Sequence, residues 1–62
     1  MHLLREIEKF MRETGMPWTK FGRLSVRDPR FVEDLRNGRE PGKKISQKAE
    51  HFMSKWRSDH AG

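Results

Sequence analysis

Residues 17–38 read PWTKFGRLSVRDPRFVEDLRNG. Two short apolar patterns of helical period flank an Asp-Pro pair in this stretch. Pro17 suits the first turn of a helix, where a missing N–H costs nothing. From there Trp18, Phe21 and Leu24 recur on one side, predicting a helix over 17–25 with those residues turned inward. Val26-Arg27 reads as a short turn. Asp28-Pro29 signals a new start, because the Asp side chain accepts from free N–H groups and Pro occupies the first helical position. A helix over 29–37 follows, with Val32 and Leu35 inward and Phe31 at its boundary. Asn37-Gly38 ends it, and Pro41 blocks an early restart. Gly22 falls inside the first of these helices, at a cost of ~1 kcal/mol relative to Ala. Close approach of another helix is the usual reason for such a residue. A small residue at the crossing, a tight turn and the anchors Val26, Val32 and Leu35 together compose a helix-turn-helix.

The flanks carry the same period. Leu3, Leu4, Ile7, Phe10 and Met11 predict a helix over 2–14. Thr14-Gly15 closes it, since Gly accepts the left-handed conformation of a C-terminal cap. Ile45, Ala49, Phe52, Met53 and Trp56 predict a fourth helix over 43–57. No segment alternates as a strand would. The expected fold is all-α, four short helices around one core with a central helix-turn-helix. Residues 1–57 form a single domain in this reading, and 58–62 a flexible C-terminal tail. Trp18 and Trp56 read as core or subunit-interface residues.

The chain has 62 residues and starts with Met1, which sets the expectation of a complete, small, one-domain protein. A domain this size buries only about 60% of its unfolded surface, so its core is thin. With 32% hydrophobic and 37% charged residues, the composition approaches that of disordered chains. Four Phe and two Trp at helical spacing argue for a fold instead. There is no Cys to form a disulfide or a thiolate metal site, which fits a reducing cytoplasm. No apolar run approaches the ~18 residues of a membrane span, and no signal segment appears. A soluble cytoplasmic domain is expected.

The net charge of +5 is uneven. Residues 1–19 are neutral. Between 20 and 44, Lys20, Arg23, Arg27, Arg30, Arg36, Arg39, Lys43 and Lys44 outnumber Asp28, Glu33, Asp34 and Glu40, leaving +4. A localised basic excess is the footprint of a polyanion partner, or simply a well-solvated surface. The third helix, held by a few apolar anchors, presents Arg30, Glu33, Asp34, Arg36 and Asn37. A helix with so little to bury makes sense as a presented surface, and an α-helix fits the major groove of duplex DNA.

Residues 19–52 resemble a helix-turn-helix of the lambda-repressor-like class. The resemblance rests on Phe21-Gly22 in the second helix and on Asp28, Val32, Leu35, Gly38 and Pro41 around the third. It extends to a returning helix from Ile45 to Trp56. It implies a bacterial or phage transcriptional regulator, cytoplasmic and nucleoid-associated, that binds double-stranded DNA sequence-specifically with its third helix in the major groove. It implies base readout by Arg30, Glu33, Asp34 and Asn37, with Arg30 and Asn37 preferred. It implies phosphate contacts by Thr19, Lys20, Arg27, Arg36, Arg39, Lys43 and Lys44. Glu33 and Asp34 read either as cytosine acceptors or as partners for Arg36 and Arg30 at helical spacing. A homodimer through the fourth helix would add affinity on a palindromic site.

Other chemistry finds little footing. His2, His51 and His60 lack metal-ligand spacing, and Glu33 and Asp34 diverge on a helix rather than converging as a catalytic pair. The serines have no His-carboxylate setting, and residues 38–42 lack phosphate-loop spacing. No cofactor, metal, membrane or small-molecule substrate is expected, and no enzymatic activity. The alternative to DNA binding is a helical protein-interaction module, adaptor-like or antitoxin-like, that binds an acidic partner.

Overall fold

The computed structural model describes residues 3–60 and is all-helical among them. Four helices follow one another: α1 (Leu3–Thr14), α2 (Trp18–Val26), α3 (Phe31–Arg36) and α4 (Lys43–His60). Order and class match the sequence pattern. Five helix ends, both of α2, both of α3 and the last of α4, lie one to three residues from their expected positions.

The core is built where the helical stripes meet. Ile7, Phe10 and Met11 from α1, Phe21 from α2, Phe31, Val32 and Leu35 from α3, and Ala49 and Met53 from α4 are buried. An aromatic cluster joins three of the helices edge to face, with ring centroids 5.6 Å apart for Phe10–Phe21, 5.4 Å for Phe21–Phe52 and 6.0 Å for Phe10–Phe52. Edge-to-face pairs at this range add ~0.5–1.5 kcal/mol beyond area burial. Met16, between α1 and α2, is also buried, a core position the helical periodicity does not reveal. Leu24 departs from expectation in the other direction. It is 48% exposed, and its neighbour Ser25, half-buried, donates its Oγ to the Phe21 carbonyl one turn back at 2.7 Å.

Gly15 closes α1 with φ +72 and an N–H donated to the Met11 carbonyl, as its position suggests. Gly38 ends α3 in a Schellman arrangement. Its own N–H reaches the Leu35 carbonyl while that of Arg39 reaches Asp34, and Gly38 has φ +94. Arg27 ends α2 with φ 61, a left-handed position held by a non-glycine residue.

α3 starts at Phe31 rather than at residue 29. The reason is local. Asp28 Oδ1 accepts the Arg30 N–H at 2.9 Å, and the Asp28 carbonyl accepts the Phe31 N–H at 3.1 Å. Arg30, at φ −95 and ψ 2, completes a type I turn with Pro29 at its second position. Asp28 therefore caps the turn, and α3 begins two residues later. α4 runs to His60, three residues beyond the expected stop. His60 stacks on Trp56 at 4.0 Å, which extends the helix through 58–60 where a flexible tail was expected. Residues 61–62 of that tail lie outside the described residues.

Gly22 has the tight neighbour its position demands. A Cβ there would overlap the Asp28 carbonyl oxygen and come within 3.3 Å of Phe31 Cβ. The close neighbour is thus the α2–α3 turn as well as the first residue of α3. The Gly22 carbonyl accepts from Arg27 and from Asp28, so the same residue pins the turn from both sides.

Candidate nucleic-acid interface

α3 is braced from behind by Phe31, Val32 and Leu35, all buried. Its outward positions follow from that spacing. Arg30, at the N-terminal boundary, and Glu33 are exposed, and so is Asn37 at the C-terminal boundary. Asp34 is half-buried, and its carboxylate accepts from Arg39 Nη1 at 2.8 Å. Of the four residues expected to read bases, Arg30, Glu33 and Asn37 are therefore open on the surface, and Asp34 is engaged.

The ion pairs differ from those read off the helical spacing. Arg36 does not pair with Glu33. Its Nε and Nη2 donate to Glu8 Oε2 and Oε1 of α1, each at 2.7 Å. These charge-assisted bonds hold the Glu8 carboxyl below its ordinary pKa and raise that of Arg36. Asp34 pairs with Arg39 rather than Arg30. Glu33 has no ion-pair partner among the described residues. Two of the expected phosphate contacts, Arg36 and Arg39, thus have their guanidinium groups on carboxylates.

The remaining basic candidates are exposed. Thr19 and Lys20 lie in the first turn of α2, Arg27 at its end, and Lys43 and Lys44 at the start of α4. The fold brings some of them near one another. Val26, Asp28, Phe31, Gly42 and Ile45 line one cleft, so the start of α4 abuts the α2–α3 turn. Lys43 and Lys44 fall between Gly42 and Ile45, in the segment that borders that cleft. Lys20 stands apart, about 10 Å along α2 from Arg27 at helical rise.

A second basic surface escaped the sequence reading. α2 and α4 border an open groove of about 600 Å³ lined by Leu24, Ser25, Lys44, Gln47, Lys48, His51, Phe52 and Lys55. It contains no carboxylate. Its signal was present in the spacing: Lys44, Lys48, His51 and Lys55 fall at i, i+4, i+7 and i+11, a single stripe beside the core stripe of the same helix.

No family model, curated protein or solved structure matches the chain. No helix of the described residues is long and apolar enough to cross a membrane. No group of three or more His, Asp or Glu among them is arranged to hold a metal ion.

Proposed function

We propose that this protein binds double-stranded DNA as a small lambda-repressor-like regulator, with α3 presented to the major groove. The observation that carries the reading is the brace at Gly22. A carbonyl too close for any side chain locks the α2–α3 turn. Three buried anchors hold α3 so that Arg30, Glu33 and Asn37 stay outside. Arg30 offers two hydrogen bonds to guanine and Asn37 two to adenine, while Glu33 accepts from cytosine. Arg30 and Asn37 lie roughly 10 Å apart along the helix, a span of about three base pairs.

Lys20, Arg27, Lys43 and Lys44 supply the phosphate contacts, with Thr19 as a neutral donor. Arg36 and Arg39 act differently in this scheme. Anchored to Glu8 and Asp34, they fix α3 and its exit loop in position. A module of this size buries ~600–1,000 Å² on DNA, so a palindromic site read by two copies suits it better than a single site. Acting on operators, it would work in the cytoplasm at the nucleoid.

Fluorescence anisotropy on a labelled duplex, at several salt concentrations, tests the reading. Four cationic phosphate contacts predict a log–log slope near −3.6, about −0.9 for each. A flat salt response would overturn it. Competition with random duplex separates specific from non-specific binding.

A further inference from the structure

The α2–α4 groove is distinct from the face proposed for DNA and shares only Lys44 with it. Its composition is unusual for this molecule. The depression beside α1 and α3 includes Glu8, and the one at the α2–α3 turn includes Asp28 and Asp34. The α2–α4 groove has three lysines and a histidine and no acidic residue. Along its floor lie Phe52, half-buried, and Leu24, the one large hydrophobic residue that is exposed among the described residues.

We propose that this groove docks an acidic amphipathic helix of a partner protein. Three features of the groove fix that chemistry. From Lys44 to Lys55 the rail runs roughly 16 Å, about three turns of a helix lying alongside. The floor supplies an apolar strip, to which the lysine stems add, and an incoming helix fills it with residues at i, i+4 and i+7. The rail supplies cations to meet Asp or Glu flanking that strip. A DNA backbone meets the cations equally well but leaves Leu24 and Phe52 facing phosphate and sugar. A second copy of this chain is disfavoured, because two copies joined through the groove would bring their lysine rails together.

The test uses a fluorescein-labelled peptide with Leu at i, i+4 and i+7 flanked by Glu. A scrambled peptide of the same composition and a short random DNA duplex serve as comparisons. The full-length protein is titrated while amide shifts are followed by NMR. The expected result is binding of the amphipathic peptide with shifts at Leu24, Lys44, Lys48, His51 and Lys55, and at least tenfold weaker binding of the scrambled one. Lys48→Glu with Lys55→Glu, and separately Leu24→Asn, weaken peptide binding about tenfold, near 1.4 kcal/mol. These side chains line an exposed groove, so thermal melting by circular dichroism should match the parent and verify that each variant is folded. Duplex binding by the α3 face keeps its affinity in Leu24→Asn, which separates this proposal from that one. Equal binding of the scrambled peptide, indifference to Leu24→Asn, or occupation of the groove by duplex in preference to peptide would each overturn it. So would absence of binding by any probe.

Discussion

α3 and α4 both carry conspicuous charge, and the fold treats the two very differently. At the end of α3 the cations are engaged: Arg36 grips Glu8 of α1, and Arg39, just past the helix, grips Asp34. On the groove side of α4, Lys44, Lys48 and Lys55 make no ion pair among the described residues and line a groove without a carboxylate. A count along the chain assigns the basic excess to residues 20–44, centred on α3. From Lys20 onward, the cations without an ion pair among the described residues lie instead on α2, in the α2–α3 turn and along α4. Charge counted by segment locates a polyanion surface only to within one helix, because each ion pair removes a cation from the tally.

The largest effect expected is at the brace that makes the α3 face possible. Gly22→Ala should gain up to ~1 kcal/mol from helix propensity alone. Instead it should lose ~1–3 kcal/mol through overpacking against the Asp28 carbonyl. Urea or thermal melting reads the sign directly. A stabilised Gly22→Ala protein would mean that the turn is not locked as described.

Next in size is the contrast between the two charged faces. Arg30→Ala should cost ~1–3 kcal/mol of discrimination at one base position and leave the melting temperature unchanged. Lys48→Glu with Lys55→Glu should leave that discrimination intact. Anisotropy against a panel of single-base-pair variants checks both, once a preferred site has been selected from a random pool. If the α4 variant alone alters base preference, the assignments of the two faces are reversed.

Most of the fold was legible in the sequence because its signals are local. Gly15 and Gly38 end helices through their own backbone conformations, and the core stripes of α1 and α4 are periodic. Gly22 announced a close approach by its cost. The departures all depend on what is distant or on competing local bonds. Arg36 and Glu8 are 28 residues apart, and only the packing of α3 against α1 joins them. Asp34 meets Arg39 because the chain reverses at Gly38, a geometry that helical i, i+4 reasoning does not contain. Asp28 prefers the turn to the helix end, which shortens α3. Leu24 sits at the margin of its helical face, where periodicity does not decide between core and groove. The groove itself was visible as a lysine stripe, yet a stripe alone does not reveal the leucine across from it.

The Glu8–Arg36 pair sharpens the comparison on a smaller scale. Folding depresses the Glu8 pKa below its ordinary 4.5. The pair's stabilisation is therefore fully present above that value and fades as pH falls through the lower folded-state value. Both side chains are more than a third exposed, at 44% for Arg36 and 35% for Glu8, so solvent screening keeps the contribution modest. Glu8→Gln should lose ~0.2–1 kcal/mol at neutral pH, and its deficit against the parent should vanish in acid once Glu8 is protonated. Melting curves across pH test this, and a deficit that grows in acid would contradict the sign.

The smallest effect concerns Arg27, held at φ 61. Glycine relieves the left-handed strain but loosens the unfolded chain, for a net gain of up to ~1 kcal/mol. The same change removes one proposed phosphate contact, so the salt slope of duplex binding should shrink by about 0.9. Gain in stability with no change in slope would remove Arg27 from the DNA face.

Amide-shift mapping during titration with a random duplex asks directly whether the outward side of α3 meets DNA. Shifts should concentrate at Lys20, Arg27, Arg30, Glu33, Asn37, Lys43 and Lys44, with the far side of α1 silent. Shifts confined to Lys48, His51 and Lys55, or spread evenly over every basic residue, would contradict the DNA reading.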